Sequence, residues 1–253
     1  MLTVRRFQAL ALTSLAVLLA AFSATVGLHT AGWVVGLVCG VTVNAVVTLG
    51  LVRTASHVPG PADLVTLIRA VLTCVLAALT AEALLHHVVT SWFVPMTVAA
   101  LALDAADGWV ARRTGTTSAF GNRFDGEVDA FLILVLSIYV APRFGAWVLA
   151  AGLMRYVFAM AGWVMPWLRA RLTYRYWRKV VTATQGIVLT FAAVDGLPPW
   201  LTIGALVVGL ALLAESFGRD VCWLWSQRVA AGRTEVAVGA AAAMRPQARP
   251  EVV

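Results

Sequence analysis

Apolar residues run through this chain in long blocks, and its polar residues are gathered between them. Eight blocks stand out, at about 8–28, 32–52, 64–85, 91–108, 124–141, 145–165, 180–195 and 199–218. A helix rises 1.5 Å per residue, so a block of about 20 residues spans a hydrocarbon core of roughly 30 Å. The pattern predicts an all-α, polytopic membrane helical bundle.

The cations test that topology. Arg5 and Arg6 precede the first span, and Arg53 follows the second. Arg112, Arg113 and Arg123 lie between spans four and five. Arg169, Arg171, Arg175, Arg178 and Lys179 lie between six and seven, and Arg219, Arg228 and Arg233 follow the eighth. These are alternate connections, whereas the opposite ones contain only Arg143. Cytoplasmic loops collect Lys and Arg, so both termini are placed in the cytoplasm. The opening MLTVRRF before an apolar run has the look of a signal peptide, but Phe22 stands where a cleavage site wants a small residue, and a second span follows at once. It reads as an uncleaved helix.

The stretch RTASHVPGPAD, with Pro59, Gly60 and Pro61, cannot continue a helix and marks a boundary. The expected organisation is two N-terminal transmembrane helices over 1–52, a linker over 53–63, a six-helix catalytic core over 64–225, and a tail over 226–253. That tail is rich in Ala, Arg and Pro and reads as lacking fixed structure.

Composition agrees. The chain has 253 residues, is 61% hydrophobic and only 12% charged, against about 25% for a soluble domain. Its net charge is +7, and all but one of its 19 cations are Arg. In a membrane protein such a balance faces anionic headgroups, so no nucleic-acid partner is expected. Cys39, Cys74 and Cys222 show no metal-binding spacing and read as packing residues. His57, His86 and His87 read as interface residues, not ligands.

Against this background a carboxylate is costly, yet five of the twelve acids fall between Asp104 and Asp129. Asp104 and Asp107 are three apart and close the fourth span, while Asp125 and Asp129 are four apart and open the fifth. On helices both pairs share a face, which brings four carboxylates to one point near a membrane edge. Glu127 falls off that face. Four bare anions there would repel one another and cost several kcal/mol each to desolvate. Divalent ions of the Mg²⁺ or Mn²⁺ kind resolve the conflict, and a pair of them suits phosphoryl chemistry. Gly108, Ala111 and Gly121 lack bulk and would let a ligand approach the backbone, and Arg112 could clamp a phosphate. Together these point to a metal-bound diphosphate.

The residues run Asp104-x2-Asp107-Gly108-x2-Ala111-Arg112-x8-Gly121-x3-Asp125-x3-Asp129. This resembles, position for position, the signature of the CDP-alcohol phosphotransferase family of integral membrane enzymes. The resemblance covers about 63–220 and implies a six-helix core, a homodimer in the cell membrane and an active site open to the cytoplasm. It also implies that Asp104, Asp107 and Asp125 are metal ligands, and that Asp129 is the general base and a further metal contact. Gly108, Ala111, Arg112 and Gly121 would hold the CDP moiety. The implied reaction is attack of an acceptor hydroxyl on the β-phosphorus of a CDP-alcohol, CDP-diacylglycerol above all, releasing CMP.

Two further stretches are similar to family features. In Asp63-Leu64-Val65-Thr66-Leu67-Ile68-Arg69 the family commonly has Asn where this chain has Asp63, so Asp63 receives no role. Arg69 sits inside a span, where a cation needs a partner, and bracing an acid is preferred to binding ligand. Lys179-x2-Thr182-x2-Gln185 is similar to the spacing in members that take glycerol 3-phosphate or a phosphatidylglycerol-type acceptor. Arg155, Arg178, Lys179, Thr182 and Gln185 are therefore the candidate acceptor site. Glycerol 3-phosphate is slightly preferred, ahead of an inositol phosphate and of phosphatidylglycerol. The alternative from another class is a divalent-cation transporter, since intramembrane acids mark ion paths; its weakness is that the acids gather at one membrane edge.

Overall fold

The computed structural model describes residues 4–53, 60–86, 91–114, 118–169 and 176–243. Eight α-helices follow in order: α1 Val4–Val26, α2 Thr30–Arg53, α3 Pro61–His86, α4 Phe93–Thr114, α5 Ala119–Phe144, α6 Leu149–Val164, α7 Tyr176–Ala193 and α8 Pro199–Ala243. Single 3₁₀ turns, Ala146–Val148 and Pro166–Arg169, flank α6. Each helix falls on one of the eight apolar blocks.

Five of them are long and apolar enough to cross a membrane: α1, α2, α3, α6 with its leading 3₁₀ turn, and α8. The apolar part of α4 is shorter, Phe93–Ala106. α5 and α7 carry polar and charged residues in their first turns.

α3 is the central helix. Within its apolar window 72% of residues are buried, against 17–28% in the other four spans. It packs on α1, α2, α4 and α5, while α5 packs on α3, α6 and α7, and α7 packs on α4 and α8. One continuous cluster joins Leu15 and Leu19 of α1, Leu76 and Leu79 of α3, Phe93 of α4, Leu136 of α5, Leu189 of α7 and Leu206 of α8. Between helices in lipid the gain comes from close van der Waals contact more than from escape from water. The Phe93 and Tyr139 rings stack at 3.6 Å between centroids. At Gly152 a Cβ would sit 2.6 Å from the Leu134 backbone, so only glycine permits the α5–α6 crossing.

Buried hydroxyls are satisfied within their own helices. Thr66, Thr73 and Thr80 lie seven residues apart on α3, and each donates to the carbonyl four residues earlier, at 3.2, 2.8 and 2.8 Å. Helix ends follow local chemistry. Pro61 and Pro199 open α3 and α8 at the position where a missing N–H costs nothing. Asp63 reaches back to accept from the Gly60 N–H at 2.8 Å, the reciprocal half of a capping box. Gly145, at φ +107°, ends α5 in a conformation that suits glycine.

Two expected boundaries are corrected. The linker expected over 53–63 ends sooner, because Pro61 and Asp63 form the first turn of α3. The tail expected to lack structure from 226 is helical to Ala243. Its sequence there, VAAGRTEVAVGAAAA, is dominated by the best helix former, and no proline intervenes before Pro246. At 45 residues α8 is roughly 68 Å long, more than twice a bilayer core. His57, His87, Arg171 and Arg175 lie outside the described residues.

Candidate active site

The end of α4 and the first three turns of α5 meet over the first turns of α3. Ser118 is the N-cap of α5, in extended conformation, and its hydroxyl accepts from the Gly121 N–H at 2.8 Å. From there α5 presents Asn122, Asp125, Gly126 and Asp129 along one stripe, at spacings of three, four and seven. Asp104 of α4 faces the same point. Carboxylate oxygens of Asp104, Asp125 and Asp129 all lie within 4.8 Å of one another.

Arg69 of α3 sits beneath them, only 1% exposed. Its guanidinium is 3.0 Å from Asp104 and 2.5 Å from Asp125, and it donates to Asp129 through its other terminal nitrogen. The bracing role expected of Arg69 is therefore its geometry here, with three acids in place of one. The three carboxylates and one guanidinium leave a formal excess of two negative charges. Hard oxygen donors with that excess suit a divalent ion such as Mg²⁺ or Mn²⁺.

The acids line a cleft of about 230 Å³. Leu101, Leu132, Ile133 and Leu213 supply apolar lining, and Arg155, Arg178, Lys179 and Thr182 line the same cleft. Arg155 of α6 pairs with Glu127 at 2.6 Å, with both side chains about half exposed. Arg178 of α7 lies 3.6 Å from Asp220 of α8.

Asp104, Asp125, Asp129, Arg155, Arg178, Lys179 and Thr182 are thus drawn together at one cleft. Gln185 is not. It is 1% exposed, and its Oε1, which has no hydrogen-bond partner among the described residues, faces α8, 3.0 Å from where a Cβ on Gly209 would stand. The shared face expected for 179, 182 and 185 spreads over a third of the helix circumference, and the third residue turns away from the cleft. Gly121 packs against α3: a Cβ there would be 2.9 Å from Asp63 Oδ1 and 3.0 Å from Ser118 Oγ. Asp107, Gly108, Ala111 and Arg112 occupy the last turns of α4, and the side chains of Asp107, Ala111 and Arg112 lie outside the described residues.

Sequence reasoning passed over three residues at or beside the cleft. Asn122 had a signal, three residues before Asp125 on the site stripe. Glu127 was correctly placed off that stripe, but its partner Arg155 is 28 residues away and on another helix. Asp220 likewise meets Arg178 only through the packing of α7 on α8.

An all-helical bundle with helices long enough to cross a membrane thus gathers acids and cations at one shared cleft. The family model for CDP-alcohol phosphatidyltransferase matches residues 60–213, from the cap of α3 to the middle of α8. The chain belongs to the CDP-alcohol phosphatidyltransferase family, integral membrane transferases of phospholipid synthesis that move a phosphatidyl group from a CDP-alcohol. α1 and α2 lie outside the matched region. No curated protein and no solved structure matches the chain.

Proposed function

We propose that this protein transfers the phosphatidyl group of CDP-diacylglycerol to a small phosphorylated alcohol, releasing CMP. The observation that carries the reading is the cleft itself, where three acids that leave an excess of two negative charges over their buried arginine share the lining with three cations.

Asp104, Asp125 and Asp129, with Asp107 by its place in the motif, would hold one or two Mg²⁺ or Mn²⁺ ions. When bound, these supply charge neutralisation to the donor diphosphate and to the departing CMP. The chain's residues do the rest. Gly108, Ala111 and Arg112 are the positions assigned to the CDP moiety, with Gly121 holding α5 close to α3. Arg69 keeps three carboxylates converged, so the site is ordered before substrate enters. Asp129 takes the proton of the acceptor hydroxyl as its oxygen bonds to the β-phosphorus, and the bond from that phosphorus to the CMP oxygen breaks. Arg155, Arg178 and Lys179 hold the acceptor's phosphate, and Thr182 offers it a hydroxyl. The apolar lining of Leu101, Ile133 and Leu213 suits the lipid end of the donor.

A basic wall on the acceptor side favours glycerol 3-phosphate, with inositol 1-phosphate next and phosphatidylglycerol third. The alternation of cations along the sequence supports a cell-membrane protein with the cleft and both termini on the cytoplasmic side, and the chain would act as a homodimer. The test is to supply CDP-diacylglycerol and Mg²⁺ or Mn²⁺ to purified protein with each acceptor, and to read the lipid product by mass. A phosphatidylglycerol phosphate product supports the preferred acceptor. Product only with an unphosphorylated alcohol would refute a phosphate-binding wall.

A further inference from the structure

At the far end of α3 from the acid cluster stands a second polar group that the transfer reaction does not use. Glu82 is 1% exposed and lies 13 residues beyond Arg69, about 20 Å further along the helix. Its Oε1 accepts from the backbone N–H groups of His29 (2.8 Å) and Gly32 (2.9 Å), and so caps the start of α2. Its Oε2 is turned to two imidazoles, 3.1 Å from His29 Nδ1 and 3.9 Å from His86 Nε2. The two rings lie face to face, 4.2 Å between centroids and tilted by 33°. All three ligand-capable atoms lie within 4.8 Å of one another.

We propose that His29, Glu82 and His86 form a site for a borderline transition-metal ion of the Zn²⁺ class, separate from the catalytic ions. The donors are of the right kind. Two imidazoles and one carboxylate suit zinc, whereas the all-oxygen catalytic cluster suits Mg²⁺ or Mn²⁺. Spacing also fits. Ligand atoms about 2.0–2.1 Å from a tetrahedral ion stand roughly 3.4 Å apart, within about half an ångström of both separations from Glu82 Oε2. Glu82 is already fixed by its two backbone bonds, which serve as the outer shell that orients a metal-binding carboxylate. At 59% and 39% exposure the histidine side chains are open to an ion from water, and a fourth position remains for water. In the bound form His29 carries its hydrogen on Nε2, which leaves Nδ1 free to ligate. The ion would tie the α1–α2 turn, which lies outside the family-matched region, to the end of α3 inside it.

The test is zinc binding by the purified full-length protein in detergent, with excess Mg²⁺ present to mask the acid cluster. Bound metal is counted by mass spectrometry after dialysis, and Co²⁺ is used as a second, coloured probe. The expected result is one Zn²⁺ per chain, at least tenfold weaker binding in His86→Ala and His29→Ala, and a tetrahedral Co²⁺ spectrum that both variants lose. Both substitutions fall on exposed side chains outside the catalytic machinery, so helix content and CMP release with Mg²⁺ alone should persist and show that each variant is folded. No zinc in the parent, or equal zinc in parent and variants, overturns the proposal and leaves Glu82 as a helix cap only.

Discussion

Asp104, Asp125 and Asp129 line one cleft together with Arg155, Arg178 and Lys179, yet the two sets are held in different ways. The acids converge on a buried guanidinium contributed by α3, the most buried of the five membrane-length helices. The cations are held in separate pairs: Arg155 shares a half-exposed pair with Glu127, and Arg178, no more exposed than Asp104, has a longer contact with Asp220. Acids drawn to one shared buried brace have one arrangement. Long side chains held in separate pairs can adapt to what they bind.

Breaking the acid wall should have the largest consequences. Removing divalent ions with a chelator should take CMP release to background, and adding back Mg²⁺ or Mn²⁺ should restore it. Persistent turnover in chelator would remove the ions from the proposal. Next comes the brace. Arg69→Met leaves three converged carboxylates without their buried cation, and breaking a buried ionic network by removing one partner costs about 3–5 kcal/mol. Thermal unfolding in detergent should show a large loss of stability, partly recovered by Mn²⁺. An unchanged midpoint would mean that the acids do not depend on Arg69.

The cationic wall should respond more mildly. Arg178→Ala or Lys179→Ala should raise KM for a phosphorylated acceptor about tenfold, the scale of one charge-assisted contact, with KM for CDP-diacylglycerol little changed. Gln185→Leu should alter stability instead of acceptor KM, since Gln185 turns toward α8. The smallest effect should come from Glu127→Gln. An exposed ion pair contributes about 0.2–1 kcal/mol, so freeing Arg155 should change acceptor affinity by less than about fivefold, in the direction of tighter binding. Stronger effects on the cationic side than on the acid side would invert the comparison.

The sequence made the acid wall easy to see and the cationic wall hard, for a physical reason. Asp125 and Asp129 are four apart on α5, and Asp104 is three before Asp107 near the end of α4, the helix before it, so local spacing flags them. Arg69 was legible as an intramembrane cation in need of a partner. Arg155–Glu127 and Arg178–Asp220 are contacts between helices, and no local spacing encodes them. Gln185 shows the reverse error, a plausible i, i+3, i+6 series that drifts 120° around the helix. The helices were legible nearly throughout, because eight apolar blocks leave little choice. The ends of α3 and α8 were not, since they depend on a capping acid at Asp63 and on the helix propensity of an alanine-rich tail. Of the His29–Glu82–His86 group only the i, i+4 pair Glu82 and His86 is local, and His29 is 53 residues from its carboxylate partner.

The most direct measurement of the central claim is CMP release by purified protein given CDP-diacylglycerol, an acceptor and Mg²⁺, comparing the parent with Asp129→Asn. The account predicts metal-dependent release by the parent and a loss of about 10²–10⁴-fold in the variant, the usual contribution of a positioned general base. Equal rates in the two would contradict it.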